Sequence, residues 1–197
     1  EFAKYDFLFL FIGLVRRYKN IELIFDVAKD LQEQGINAGF VIGGKAPDSI
    51  YAEELREQTP CNVLFLDQFI PNEKLGSLVG ISDAVIVPLN VESSLNSSTC
   101  LLSFTFCKTV VCPAIGTLEC FNNDVIYKYD YVDNDDHREK LFEAVKRACS
   151  DKESDCNRFI ENGQFLRRRV LSENSPKLIG ELYDSMFQDI VENRKTN

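Results

Sequence analysis

The sequence predicts an α/β fold of the Rossmann-like, doubly wound type: a mostly parallel six-stranded sheet with helices on both faces and extra helices at the C-terminus. Three observations carry this prediction. Short apolar runs of strand length alternate with segments of helical period. The connections between them are short and polar or contain Gly and Pro. Several of the runs, such as FLFLFI, show no polar alternation, which is typical of strands covered on both faces.

Strands and helices alternate up to residue 131. The predicted strands are Phe7–Ile12, Ala38–Ile42, Val63–Leu66, Ala84–Val87, Thr109–Cys112 and Val125–Tyr127. The predicted helices are Asn20–Gln34, Ser49–Gln58, Asn72–Ile81, Asn96–Phe106 and a short one at Thr117–Phe121. After Tyr131 one helix begins in the acidic stretch DNDDH, a second ends near Leu171, and a third runs from Pro176 towards Ile190. We therefore expect one domain, with an α/β core at 1–131 and C-terminal helices at 132–197.

Composition limits the classes of function. The chain has 197 residues, 45% of them hydrophobic, which is enough for one domain with a full core. The net charge of −9 argues against nucleic acid or an anionic membrane surface as the main partner. No apolar run approaches the roughly 20 residues that span a bilayer, and the first residues do not resemble a signal peptide. A soluble, cytoplasmic protein is expected.

Cysteine and histidine give little support for a metal site. Most of the seven cysteines lie inside apolar segments and none forms a C-x-x-C pair, which predicts buried free thiols in a reducing compartment. The single histidine, His137, lies in an acidic turn ahead of a helix and is expected at the surface. A zinc site or a Ser/His catalytic pair is therefore disfavoured, and no bound metal is expected.

The most informative loop is GLVRRYKN, which follows the first strand. Gly13 permits a sharp turn, and Asn20 is expected to be the N-cap of the first helix. Arg16, Arg17 and Lys19 lie between them, where the positive end of the helix already favours an anion. The loop therefore predicts a phosphate-binding turn. An ordinary connection with solvated cations is the alternative.

Other loops at the same edge of the sheet carry similar chemistry. The second strand ends in GGKAPDS, with Gly44 in the turn. Ser97, Ser98 and Thr99 precede an apolar helix, where they could cap it or leave N–H groups open to a ligand. Phe69 and Ile70 precede a proline-initiated helix, where they could meet a planar ring or form a hydrophobic staple. Because ligands bind at the carboxyl ends of parallel strands, a polar ligand bearing phosphate is expected there.

In this order, the loops resemble the carboxyl-terminal donor-binding domain of GT-B fold glycosyltransferases of the group 1, or family 4, type. The resemblance covers nearly the whole chain. FIGLVRRYKNIELIFDVAKDL is similar to that family's first strand, diphosphate-binding turn and first helix, with Arg16 in place of an arginine that often follows the glycine directly. NVLFLDQFIPNEKLGSLVGISDAVIVPL resembles its base-contacting loop, helix and fourth strand.

The resemblance implies a nucleoside-diphosphate sugar as the donor substrate, no cofactor, and transfer of the sugar to an acceptor hydroxyl with retention and without a metal. A polysaccharide or glycolipid pathway is implied as well. Arg16 and Lys19 would be the catalytic residues that stabilise the leaving diphosphate. The implied donor-binding residues are Gly13, Arg17, Gly44, Phe69, Ile70, Ser94, Asn96, Ser97, Ser98, Thr99 and Glu119.

Because that family is built from two Rossmann-like halves, the resemblance also implies that an N-terminal acceptor domain is absent from this chain. We therefore expect the chain to bind a nucleotide sugar but to show little transfer by itself. Any peripheral membrane association would depend on the missing domain.

One departure from the family keeps an alternative open. Two glutamates eight positions apart are common around the fourth-strand loop, and here Ser94 and Leu102 occupy those positions. A non-catalytic relative with the same fold is therefore the main alternative. A receiver-like domain is disfavoured because Gly13 and Leu14 stand where its acidic pair should be. A dinucleotide-binding domain is disfavoured because GLVRRYKN supplies one glycine of G-x-G-x-x-G.

Overall fold

The computed structural model of the protein describes residues 2–195 and contains a six-stranded sheet in which every pairing is parallel. The strands are β1 Phe7–Ile12, β2 Ala38–Gly43, β3 Val63–Leu66, β4 Ala84–Ile86, β5 Thr109–Pro113 and β6 Tyr127–Tyr129. Their order across the sheet is β3-β2-β1-β4-β5-β6. The chain therefore reverses its direction of travel between β1 and β4, and a crevice opens there at the carboxyl ends of the strands. This topology confirms the predicted fold class.

Seven helices accompany the sheet in the described part of the chain. They are α1 Ile21–Glu33, α2 Ser49–Gln58, α3 Asn72–Ile81, α4 Ser98–Thr105, α5 Asn134–Ser154, α6 Cys156–Glu173 and α7 Pro176–Lys195. Short 3₁₀ turns lie at Phe2–Lys4, Arg17–Lys19 and Gly116–Leu118. The predicted helix at Thr117–Phe121 is the last of these turns. The predicted start of β6 is two residues early, because the N–H groups of Val125 and Ile126 both donate to the carbonyl oxygen of Asn122 in a turn.

The core lies on both faces of the sheet, as the unbroken apolar runs predict. All six residues of β1 are buried, so side chains pointing in both directions are covered. Phe9 stacks on Phe7 and on Phe40, with ring centroids 4.3 and 5.1 Å apart. The helix α1 packs against α2 and α5, while α4 packs against α6. These layers make a rigid frame for the loops at the carboxyl edge.

The seven cysteines are all free thiols, and they differ in exposure. Cys100 and Cys112 are buried, which confirms the prediction for the apolar segments of α4 and β5. Cys107 and Cys149 are half-buried. The other three, Cys61, Cys120 and Cys156, are exposed, so the prediction of buried thiols is wrong for them. The reason is local: these three lie in turns or at the start of a helix and not inside a strand.

The helix α7 presents an apolar face that the described part of the chain does not cover. Its large apolar side chains are at least 45% exposed from residue 182 onward: Leu182, Tyr183, Met186, Phe187, Ile190 and Val191. They recur at spacings of three and four residues, which places them along one broad face. No described helix is both long and apolar enough to cross a membrane.

Candidate functional site

The loops after β1 and β2 meet at the carboxyl edge of the sheet through two glycines. Gly13 has a φ of +138°, and its N–H donates to the carbonyl oxygen of Gly43 at 3.1 Å. Gly44 has a φ of +157°, and a Cβ there would lie 1.7 Å from the carbonyl oxygen of Gly13. Only glycine fits this position without a backbone shift. The two glycines predicted from the sequence therefore hold the loops in backbone contact.

Two cations of the turn between β1 and α1 have no acidic partner among the residues that the structure describes. Arg16 is exposed, and Lys19 is half-buried with its amine 5.0 Å from the centre of the Tyr18 ring. Neither side chain forms an ion pair with a residue in the described range. Because α1 begins directly after this turn, the positive end of its dipole adds to the two charges. The turn therefore favours an anion.

Arg17 differs from these neighbours because it is engaged by α2. Its guanidinium lies 2.9 Å from the carboxylate of Glu54 and 4.5 Å from the centre of the Tyr51 ring. Its charge is therefore paired and turned towards α2. The implied role of Arg17 in donor binding stays a prediction, and the structure does not group it with Arg16 and Lys19.

Asn20 is the N-cap residue of α1, and its side chain ties two loops together. It has a left-handed backbone with a φ of +51°, and its side chain makes no capping hydrogen bond. The side-chain amide donates to the carbonyl oxygen of Pro88 at 2.8 Å. Asn20 therefore holds the predicted N-cap position, but its side chain does not cap the helix, because the amide joins the cationic turn to the segment after β4.

The first turn of α4 faces the glycine of the β1 loop. Ser97 is buried, and its hydroxyl caps the helix by accepting from the N–H of Cys100 at 3.3 Å. The hydroxyl of Thr99 donates to the carbonyl oxygen of Ile12 at 3.5 Å and lies 4.0 Å from the position of a Cβ on Gly13. The N–H groups of Ser98 and Thr99 have no acceptor within the helix. They add to the anion-binding character of this edge.

A cavity of about 250 Å³ lies between these loops. Five of the predicted site residues line it: Gly13, Gly44, Phe69, Ile70 and Thr99. The other six lining residues were not among the predicted site residues: Ile12, Leu14, Gly43, Lys45, Leu75 and Leu102. The Phe69 side chain is 76% exposed, so its ring stands at the mouth of the cavity. The wall is mainly aliphatic and suits the flat face of a ring.

Lys45 in this wall is held by a carboxylate from the next strand. Its amine lies 3.2 Å from Asp67 Oδ1, which also accepts from the N–H of Ala46 at 2.9 Å. Arg56 pairs with the other oxygen of Asp67. Burial favours the neutral acid, but the Ala46 N–H together with the two cations outweighs it and lowers the pKa of Asp67. The charged carboxylate anchors the loop after β2.

The remaining predicted residues lie around this centre. Ser94 is half-buried, whereas Asn96, Ser98 and Glu119 are exposed. Gly116 contacts the Leu95–Asn96 segment so closely that a Cβ would lie 2.4 Å from the carbonyl oxygen of Leu95. Glu119 follows one turn later, outside the cavity wall. Among the residues that the structure describes, no group of three or more His, Cys, Asp or Glu side chains could hold a metal ion.

His137 is buried, so its predicted place at the surface is wrong. The side chain sits near the start of α5 with an exposure of 1%, and its Nε2 lies 3.0 Å from the hydroxyl of Tyr129. Burial disfavours the imidazolium and lowers the pKa of His137 to about 4, although Asp136 opposes this. The missed signal was helical spacing: His137 falls in the same stripe as Leu141, Ala144, Val145 and Ala148.

Comparison with known sequences gives a family match over most of the chain. The model of the family described as "Glycosyl transferases group 1" matches residues 1–165. The O-antigen chain mannosyltransferase C of Escherichia coli is 24% identical over 190 residues, which are 96% of this chain and 48% of that protein. The chain therefore spans about half the length of this curated relative.

Solved structures share the fold at low sequence identity. Sucrose-phosphate synthase from Thermosynechococcus elongatus matches with a TM-score of 0.71 and 18% identity, over 93% of this chain and 46% of that one. Anabaena Alr3699/HepE in complex with UDP and glucose matches with a TM-score of 0.75 and 13% identity, over 95% of this chain and 49% of that one. Here too the match covers about half of the larger protein.

Proposed function

Since this chain belongs to the group 1 family of glycosyl transferases, we propose that it is the nucleotide-sugar donor-binding domain of a larger transferase. The reaction is transfer of a sugar from a nucleoside diphosphate to an acceptor hydroxyl, with retention and without a metal ion. One observation supports this assignment most. The glycine turn, two cations without acidic partners in the described part of the chain, and the N-terminus of α4 surround one edge of the sheet, beside an aliphatic cavity.

In this proposal the protein stabilises the leaving diphosphate. Negative charge grows on that group as the bond to the sugar breaks. Arg16 and Lys19 supply two positive charges, and the first N–H groups of α4 supply preorganised donors. The backbone contact between Gly13 and Gly44 fixes the turn before the ligand arrives, so little reorganisation is needed.

The nucleoside part of the donor fits the cavity beside this turn. The walls formed by Ile70, Leu75 and Leu102 offer apolar contact to a base or a ribose, and the exposed ring of Phe69 can stack on a planar group. The sugar is then directed towards the open side of the crevice, where the acceptor must bind. Relatives of this chain are about twice as long, which supports an acceptor site in a second half.

A non-catalytic donor-binding or scaffold domain is the second candidate. Leu102 lines the cavity with an apolar side chain at one of the two positions where the family commonly has a glutamate. Without that carboxylate, the site keeps its means of holding a diphosphate but lacks one polar contact to the rest of the donor. This candidate binds nucleotide without turnover.

Replacement of Lys19 by alanine tests the donor site. We expect the affinity for the preferred nucleoside diphosphate to fall at least tenfold, because a charge-assisted hydrogen bond contributes about 1.5–3 kcal/mol. The measurement is calorimetric titration with UDP, GDP and ADP, their sugar conjugates, and NAD as a control ligand. Lys29→Ala removes an equal charge from the exposed face of α1 and should leave the affinity unchanged. An unaltered affinity in Lys19→Ala would contradict the site.

In this proposal the second half of the longer polypeptide covers the apolar face of α7. Two substitutions on that face test the contact. Leu182→Asp with Phe187→Asp should leave the melting temperature of this chain within about 2 °C, because exposed sites contribute little to stability. In the longer polypeptide the same pair should lower it by several degrees, since two buried apolar contacts are lost. Gln188→Asp on the same helix is the control. Equal shifts in both proteins would argue against the covered face.

A further inference from the structure

The segment Pro88–Val91, which follows β4, is held by hydrogen bonds from two sides. Successive residues of the segment bond alternately to one side and to the other. On one side the cationic turn binds it: the Asn20 side chain donates to the carbonyl oxygen of Pro88 at 2.8 Å, and the N–H of Asn90 donates to the carbonyl oxygen of Tyr18 at 3.3 Å. Lys19 lies between these two residues of the turn. Its backbone is therefore fixed on both sides by contacts to the same segment.

On the other side a single hydroxyl binds Leu89 and Val91, the two residues of the segment that the turn does not bind. Tyr131 accepts from the N–H of Val91 at 3.0 Å and donates to the carbonyl oxygen of Leu89 at 3.4 Å. One hydroxyl thus satisfies two backbone groups that the cationic turn does not reach. If it is removed, the segment keeps its bonds to the turn but loses these two hydrogen bonds to the body of the domain.

Tyr131 is itself held in place by a buried ring. It stacks on His137 with centroids 3.8 Å apart and an angle of 6° between the planes. His137 is fixed in turn by the hydroxyl of Tyr129 at 3.0 Å. The hydroxyl of Tyr131 therefore projects from a rigid aromatic stack and not from a mobile side chain.

We infer that Tyr131 is a positioning residue of the donor site, which acts through Leu89 and Val91 to fix the turn that carries Lys19. The inference rests on the proposed function, because Lys19 matters only if the turn binds a diphosphate. Tyr131 does not line the cavity. Its effect is to keep the Lys19 amine where the diphosphate needs it, so that the binding energy is not spent on ordering the turn.

The test is Tyr131→Phe, which keeps the stack on His137 and removes only the hydroxyl. We expect the affinity for the bound nucleoside diphosphate to fall about three- to tenfold, the range for one lost hydrogen-bonding group. The matched control is Tyr127→Phe. Tyr127 is close to Tyr131 in sequence, and its partly buried hydroxyl donates to Asp151 at 3.1 Å. This hydrogen bond does not involve Pro88–Val91. The control should lower the melting temperature similarly and leave the affinity unchanged.

A double-mutant cycle shows whether the effect passes through Lys19. In a Lys19→Ala background, Tyr131→Phe should lower the nucleotide affinity by less than a further factor of two, because the amine that Tyr131 positions is gone. A full further loss would overturn the inference. So would equal losses of affinity in Tyr131→Phe and Tyr127→Phe.

Amide hydrogen exchange in the ligand-free chain separates this inference from the proposed function. The amides of Lys19, Asn20 and Asn90 should exchange several-fold faster in Tyr131→Phe than in Tyr127→Phe. Faster exchange in a chain that binds none of the nucleotides would support the link between Tyr131 and the turn but contradict the proposed function. If Tyr131→Phe changes neither exchange nor affinity while Lys19→Ala weakens nucleotide binding, the link between Tyr131 and the turn is wrong and the proposed function stands.

Discussion

Replacing Gly44 with alanine is expected to destabilise the protein by about 3 kcal/mol or more and to abolish nucleotide binding. The new Cβ would lie 1.7 Å from the carbonyl oxygen of Gly13, and that neighbour is backbone which cannot rotate away. The φ of +157° adds strain for any residue with a side chain. Overpacking and backbone strain each cost about 1–3 kcal/mol. The loops after β1 and β2 must therefore separate, and the cationic turn opens.

Urea unfolding followed by circular dichroism, with titration of the preferred nucleotide, measures both effects. Gly80→Ala is the matched control, because Gly80 lies in α3 with nothing within 4 Å of the new Cβ. That change should stabilise the protein by about 0.5–1 kcal/mol and leave binding unaltered. A Gly44→Ala variant with wild-type stability and affinity would show that the contact between the two loops is not needed.

Much of the fold is predictable from the sequence because strand burial has a local signature. The run from Phe7 to Ile12 is apolar at every position and has the length of a strand, which is typical of a strand covered on both faces. The end of the sheet is less predictable. Ile126 is buried like a strand residue, yet its N–H closes a turn to Asn122 and the ladder begins one residue later. Apolar character reports burial and not hydrogen bonding.

The candidate site also has one part that the sequence predicts and another that it does not. Gly13, Gly44 and Thr99 were predictable, because the special residue and the strand or helix that places it are adjacent in sequence. The contact of Lys45 with Asp67 depends on the parallel register of β2 and β3, which the sequence alone does not specify. The bond from Tyr131 to Val91 joins residues 40 positions apart. Such contacts become visible only when the sheet order is known.

Gly163→Ala is expected to have the second large effect, and it acts through packing behind the site. Gly163 is buried in α6, and a Cβ there would lie 2.1 Å from the carbonyl oxygen of Cys107, in the turn between α4 and β5. Cys107 has a φ of +58°, so this turn has little freedom to adjust. The helix α6 must therefore move outward, and Leu166 and Val170 lose part of their burial. We expect a loss of about 2–4 kcal/mol in the free energy of unfolding.

Chemical denaturation checks this value, and Gly180→Ala in α7 is the control because nothing lies within 4 Å of its new Cβ. The two variants add the same methyl group to a helix, so helix propensity alone would stabilise both. If Gly163→Ala destabilises the protein while Gly180→Ala stabilises it, the contact with Cys107 is the cause of the loss. Equal stabilisation would mean that α6 does not rest on α4. Nucleotide affinity should fall less than in Gly44→Ala, because the displaced contact lies behind α4 whereas Gly44 forms the turn itself.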